Sequence, residues 1–359
     1  MLRFACRCSR SARDFSRCVV SSQPHALAAG VLLLAVAFAP AALAAPIAPG
    51  YFVSELAPDV TGDVAVGGGA LFVGTGSFGA GTMSIVRIQG GVTTTIVTGL
   101  NAIAGLAYDA DSDQLFFGDN GGNFPGATTG DALYALAGAT TATTATAASA
   151  LRITADGALP GVADLVLDPT LPAGDGLFAT DASSSFPPAG LLAAVDGATG
   201  AVSTLVSGLE FAAGLAVDGD ILYVGDALLA GGGRVSTLGI AGNSAPFSLL
   251  TTLPGGVFDL EVMADGALVA SSGGTLVRID PVSGAVSTFA TGFAFATGLF
   301  VDGADVYALE GGLGTNPLYR FTPVPEPASG ALLSVGLLAL GARRRGASRI
   351  GPRRPRSAC

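Results

Sequence analysis

The stretch Ala201–Asp226, AVSTLVSGLEFAAGLAVDGDILYVGD, aligns without a gap to Ala285–Glu310, AVSTFATGFAFATGLFVDGADVYALE. Thirteen of the 26 positions are identical, at a spacing of 84 residues. Each copy has one grammar: a Gly-Leu-Ala-Val type run, an Asp/Gly turn, then an Ile-Leu-Tyr-Val type run. Alternation, β-branched residues and Gly/Asp punctuation mark strands joined by hairpins. No helical periodicity interrupts them between the two ends of the chain.

Working outward, a related phrase runs from Thr98 to Asn120, TGLNAIAGLAYDADSDQLFFGDN, and weaker copies begin at Gly62, Gly161 and Gly256. A third strand follows in several copies, as Ser84–Ile88, Ala132–Leu136, Thr275–Ile279 and Leu318–Phe321. Turns at 196–200 and 280–284 then lead to a fourth strand such as Ala201–Val206. Four strands in roughly 40–58 residues is the size of a propeller blade, and 84 residues is two blades of about 42. Inner strands starting near 62, 105, 161, 214, 257 and 298 predict an all-β, six-bladed β-propeller over residues 46–322, with five or seven blades as alternatives. The last blade stops after its third strand, so Tyr51–Leu56 is expected to supply the fourth and hide the sheet edge. The Thr/Ala run 139–150 reads as either an outer strand with a long loop or a low-complexity bulge.

The ends carry addresses. Arginines precede the apolar run 26–39, and Ala42-Leu43-Ala44 supplies the small-x-small exit of a secretory signal, so residues 1–44 are expected to be a signal peptide cut after Ala44 or Ala45. No paired arginines stand before the core, which favours the general secretory route over the twin-arginine one. At the other end, Val324-Pro325-Glu326-Pro327 precedes the apolar stretch 328–342, then Arg343, Arg344 and Arg345. Cations directly after a short apolar span hold that side in the cytoplasm, leaving the preceding chain outside. Residues 346–359 form a further basic tail.

VPEPAS, a glycine-containing apolar segment and an arginine triplet in this order resemble the PEP-CTERM family of sorting signals over residues 323–345. The resemblance implies an exported protein of a Gram-negative bacterium, tethered in the inner membrane through its C-terminal helix. An exosortase-type enzyme would process it there, releasing it to the cell surface or an extracellular matrix of polysaccharide.

Composition narrows the chemistry. All 17 basic residues are arginine, and only Arg87, Arg152, Arg234, Arg278 and Arg320 fall within 45–323. Five arginines against 25 acidic residues give this stretch a net charge of −20. Such a charge argues against nucleic acid, whose phosphates need a basic face, and suits solubility or divalent cations. The single histidine and all four cysteines lie outside the stretch, and lysine is absent from the chain. That excludes a Ser-His-Asp triad, a Cys-His pair, a Schiff base and a His-ligated zinc there.

Asp119, Asp181, Asp226 and Glu310 fall just after the second strand in four blades. Equivalent positions in a closed ring converge, so the four carboxylates could face one another across the channel mouth and hold Ca²⁺. The competing expectation is that they cap strand ends and form Asx-turns. A second equivalent set is Asp63, Asp164 and Asp259, near the starts of first strands. The repeats resemble the NHL and SMP-30/gluconolactonase-like six-bladed propellers. That group uses calcium and keeps a glutamate at the opening of its first blade, where this chain offers Asp63 in TGDVAV. Two functions therefore compete: a surface or matrix binding module, and a Ca²⁺-dependent lactonase- or lyase-like enzyme acting on carbohydrate. The missing His, Cys and Lys favour the first.

Overall fold

The structure is a computed structural model and describes residues 45–325, apart from 122–130, 149–150, 169–170, 172–175, 183–189, 241–244 and 312–315. The expected signal peptide with Ala42 and Ala44 lies outside the described residues. So does the tail from Glu326 onward, with Pro327 and Arg343 to Arg345.

A first strand, β1 (Tyr51–Val60), precedes six sheets. Blade I is β2 (Val64–Gly67), β3 (Ala70–Thr75), β4 (Met83–Gln89) and β5 (Val92–Leu100). Blade II is β6 (Ile103–Asp109), β7 (Gln114–Asp119) and β8 (Ala132–Ala137), after which comes the short β9 (Thr146–Ala147). Blade III is β10 (Val162–Leu167), β11 (Leu177–Asp181), β12 (Gly190–Val195) and β13 (Val202–Leu209). Blade IV is β14 (Ala212–Asp218), β15 (Ile221–Ala227), β16 (Gly233–Gly239) and β17 (Ser248–Leu253). Blade V is β18 (Leu260–Val262), β19 (Leu268–Ser272), β20 (Thr275–Ile279) and β21 (Val286–Thr291). Blade VI is β22 (Ala296–Asp302), β23 (Asp305–Glu310) and β24 (Asn316–Pro323).

Within each blade the strands pair antiparallel in chain order. The first strand of every blade is innermost and touches the first strand of the next, with β22 returning to β2. This is a six-bladed β-propeller. Its last sheet has the order β1-β24-β23-β22, so the N-terminal strand closes the ring, with Val53 opposite Phe321. Ile47 continues onto blade V, exchanging two backbone hydrogen bonds with Thr291 at 2.8 and 3.0 Å. The N-terminal segment therefore fastens two blades.

The apolar core is divided into six layers, each between neighbouring sheets. Ala65, Phe72 and Ile85 of blade I meet Leu106, Phe117 and Tyr134 of blade II. Phe289 and Phe293 of blade V meet Tyr319 and Phe321 of blade VI in the same manner. Alternation along each strand makes this possible, because successive side chains serve the two opposite faces of a sheet buried on both sides.

Blade II departs from the four-stranded plan. The Thr/Ala run does not become its outer strand; β9 pairs parallel with β5 of blade I instead, and among the described residues 151–153 take the outer place in blade II, bridging at Tyr134–Arg152 with backbone bonds to Leu133 and Ala135. Small side chains sit at the crossing. Ala139 and Ala148 are fully buried against the blade I–II layer. The Arg87 guanidinium donates to the Ala139 carbonyl at 3.0 Å and pins the crossing.

Candidate functional site

The end of the ring where the innermost strands begin carries two tiers of carboxylates. In the outer tier, the strand registers place Asp119, Asp181, Asp226 and Glu310 at one equivalent position. Each stands two residues beyond the partner of an inner-strand leucine: Leu106, Leu165, Leu215 and Leu299. The same position is Thr75 in blade I and Ser272 in blade V.

All four carboxylates are buried, and Asp119, Asp226 and Glu310 are engaged within their own blades. Asp119 accepts the backbone amides of Asn101 and Ala102 at 3.0 and 2.9 Å and the Asn101 side-chain amide at 2.7 Å. Asp226 accepts the amides of Glu210 and Phe211 at 3.2 and 2.6 Å and pairs with the Arg234 guanidinium at 2.6 Å. Glu310 accepts the Ala294 amide at 2.9 Å. Asp181 is fully buried at the end of β11. In blade V, Ser272 accepts the Gly255 amide at 3.1 Å, and Ser271 accepts those of Phe258 and Asp259 at 2.8 and 3.0 Å.

In blades II, IV, V and VI the tier thus fastens the second strand to the segment that leads into its own first strand. Among the described residues, no three His, Cys, Asp or Glu side chains stand together so as to hold a metal ion. Calcium, with its roughly 6–8 oxygen ligands, would have to displace these backbone amides and a guanidinium. The donor set in place does not fit it.

The inner tier is Asp63, Asp164 and Asp259, only 8, 6 and 4% exposed. Each bridges two blades. Asp63 accepts from Val64 at 2.7 Å and from Leu106 of blade II at 2.8 Å. Asp164 accepts from Leu165 at 2.7 Å and from Leu215 of blade IV at 2.6 Å. Asp259 accepts from Leu260 at 2.7 Å and from Leu299 of blade VI.

Blades II, IV and VI carry glycine where the odd blades carry aspartate: Gly105, Gly214 and Gly298. The reason is close approach. A Cβ on Gly214 would lie 2.7 Å from the Asp259 Cα, and one on Gly105 2.9 Å from the Asp164 carbonyl carbon. Aspartate and glycine therefore alternate around the axis.

Burial pushes the Asp63 carboxyl up to about 7, against the amides of Val64 and Leu106, which favour its charged form. Burial first, and then its charged neighbours in the ring, raise Asp164 and Asp259 well above the usual carboxylate range. Glu261 on β18 is raised too, by burial and by Asp164 and Asp63.

Phe211, Phe258 and Phe295 stand on the segments leading into β14, β18 and β22. They form an edge-to-face series with centroids 6.0 and 4.5 Å apart. All three rings are half-buried. Beside them Leu229 is 64% exposed, its amide held by Glu210 at 2.9 Å. Phe211 and Phe295 share one position of the 84-residue repeat, but Phe258 does not, and the arc therefore escaped the sequence reading. The three aspartates were accessible as one equivalent set near the starts of the first strands, although insertions make their spacings unequal.

Residues 323–345 match the PEP-CTERM protein-sorting motif, a mark of exported proteins sorted to the cell surface. No curated protein sequence matches the chain. Among solved structures, the fold is similar to a luciferin-regenerating enzyme at TM-score 0.58 and 16% identity, over 77% of this chain and 96% of that one. It is similar to a putative gluconolactonase at TM-score 0.51 and 14% identity, over 77 and 94% of the two chains. It is also similar to a calcium-binding protein, regucalcin, from Agrobacterium tumefaciens at TM-score 0.53 and 13% identity, over 78 and 94%. At such identities the likeness is one of fold.

Proposed function

We propose that this chain is an exported cell-surface or matrix-associated binding propeller, secreted by the general route and tethered in the inner membrane until an exosortase-type enzyme processes its tail. The observation that carries the address is the sorting motif at 323–345. It begins at the last residue of β24, so the folded domain and the processing segment are contiguous.

The ligand-facing surface in this reading is the aromatic arc of Phe211, Phe258 and Phe295, and the ligand is an extracellular polysaccharide. Half-exposed rings offer apolar faces to the C–H surfaces of sugars, and a domain of −20 disfavours polyanions. A binding role is supported further by Asp119, Asp226 and Glu310, which are committed to backbone amides, and by the absence of His, Cys and Lys from residues 45–323.

The test has two arms. Phe258→Ala in the exported chain is expected to weaken retention on the producing strain's polysaccharide about tenfold, the loss of one aromatic anchor. Unchanged retention, or turnover of lactones in the presence of calcium, would instead place the protein with the enzymes. Glu326→Ala is expected to leave full-length protein in the membrane fraction. Wild-type mass and location in that variant would refute the sorting step.

A further inference from the structure

The geometry points to a proton-holding ring at the centre of the propeller: Asp63, Asp164 and Asp259, with Glu261 beside them, share protons when the blades are closed and shed them when the ring opens, so that closure is favoured by mild acid. We draw this from three arrangements. The three side chains come from alternate blades and meet around one axis. Asp164 accepts the Leu215 amide at 2.6 Å, and Gly214, the residue before it, lies against the Asp259 backbone, so the carboxyl-bearing positions of blades III and V meet across β14. Each residue also holds backbone amides of two blades, so none can turn away to solvent.

The surroundings supply no compensating cation. The innermost strands β2, β6, β10, β14, β18 and β22 pack around the ring. Apart from the ring and Glu261, their ionisable residues are Tyr108, whose hydroxyl donates to Asp113, and Asp109, Asp218 and Asp302, at the far ends where the strands turn into β7, β15 and β23. The five arginines are engaged elsewhere. Arg87 bonds Ala139, and Arg152, Arg234, Arg278 and Arg320 pair with Asp156, Asp226, Asp265 and Asp305. Like charges brought together without a counter-ion favour the protonated form, and burial does so again.

The sign follows from linkage. These carboxyls titrate higher in the folded chain than in the unfolded one, so the folded state holds protons that the unfolded state has released. Stability conferred by them is full below the ordinary carboxylate value and is lost as pH rises towards the folded value, about 7 for Asp63. Each held proton lowers the folding constant about tenfold per pH unit over that window.

The experiment uses the mature exported chain in chelator-containing buffer, with denaturant unfolding measured from pH 5 to 8 and infrared spectra of the carboxylic acid carbonyl band at pH 6. The expected result is a folding constant that falls at least tenfold between pH 5 and 7, and a protonated-carboxyl band that disappears on unfolding. Glu261→Gln tests the coupling without touching the amides that join the blades. It should shallow the pH slope and stabilise the chain more at pH 8 than at pH 5. A folded protein with no such band, or a folding constant flat from pH 5 to 8, overturns the proposal. So does a Glu261→Gln slope equal to wild type.

Discussion

The Val324 amide donates to the Gly50 carbonyl at 2.8 Å, one residue before the Pro-Glu-Pro segment begins. The backbone that enters the propeller thus grips the backbone that leaves it. Antiparallel pairing of β1 with β24 extends the grip from Tyr51 opposite Pro323 to Val60 opposite Asn316. The sorting tail is therefore attached to the seam of the ring and not to a free strand end.

Closure by β1 makes a first prediction. Tyr51 packs edge-on against Phe289 of blade V, with centroids 4.9 Å apart. Tyr51→Ala removes that pair and part of the blade V–VI layer. It is expected to cost about 2–3 kcal/mol. Denaturant unfolding would show it as a lower midpoint with an unchanged slope. Deleting 46–56 should go further and expose β24 to proteolysis, since an unpaired edge is an open template.

Steric fit of the inner strands gives a second. Gly214 has ordinary backbone angles, but its missing Cβ is what lets Asp259 and Leu260 approach. Gly214→Ala should cost several kcal/mol or prevent folding, as overpacking with backbone in contact does. Gly219→Ala, in a turn with open space around it at φ +57°, should cost only about 1 kcal/mol. Equal melting temperatures for the two variants would contradict the close approach.

How legible this architecture was depended on periodicity. The two-blade repeat exposed the strands, the turns and the closing role of 51–56, because hairpin chemistry and alternation are local. The axial aspartates were visible as a set, while their pairing with Gly105, Gly214 and Gly298 needed three-dimensional register. The mouth carboxylates show the limit most clearly. Sequence equivalence placed Asp119, Asp181, Asp226 and Glu310 correctly relative to one another. Whether their oxygens face a shared ion or a backbone amide depends on a few ångströms of loop path that no spacing encodes. The Thr/Ala run stayed open between an outer strand and a bulge for a related reason: its destination, the edge of β5 in the neighbouring blade, is set by tertiary contacts.

A third prediction concerns the Asp226–Arg234 pair. The Asp226 carboxylate is 1% exposed and accepts two backbone amides as well as the guanidinium. Asp226→Asn leaves Arg234 without its partner and is expected to cost about 3 kcal/mol. Arg234→Ala should cost comparably, and the double variant less than the sum of the two. A thermal-melt double-mutant cycle with no coupling would show that the pair is incidental.

The acid side of the pH profile belongs to a different residue. Asp113 is the non-glycine residue with positive φ among those described, at 51°, and closes the β6–β7 turn. Burial alone would raise its carboxyl. That effect is outweighed by hydrogen bonds from the Thr140 amide and hydroxyl at 3.0 and 2.8 Å and from the Tyr108 hydroxyl at 3.1 Å, with Arg87 adding to them, and the net shift is downward. A carboxylate lowered in the folded state contributes stability above its unfolded value and loses it as pH falls through the lower, folded one. Asparagine tolerates the same backbone angles, so Asp113→Asn isolates the charge. Its cost at neutral pH should be about 1 kcal/mol, small because solvent screens this turn, and should vanish near pH 2. A gap between variant and wild-type unfolding curves that stays constant from pH 7 to pH 2 would show that shape, and not ionisation, carries the contribution of Asp113.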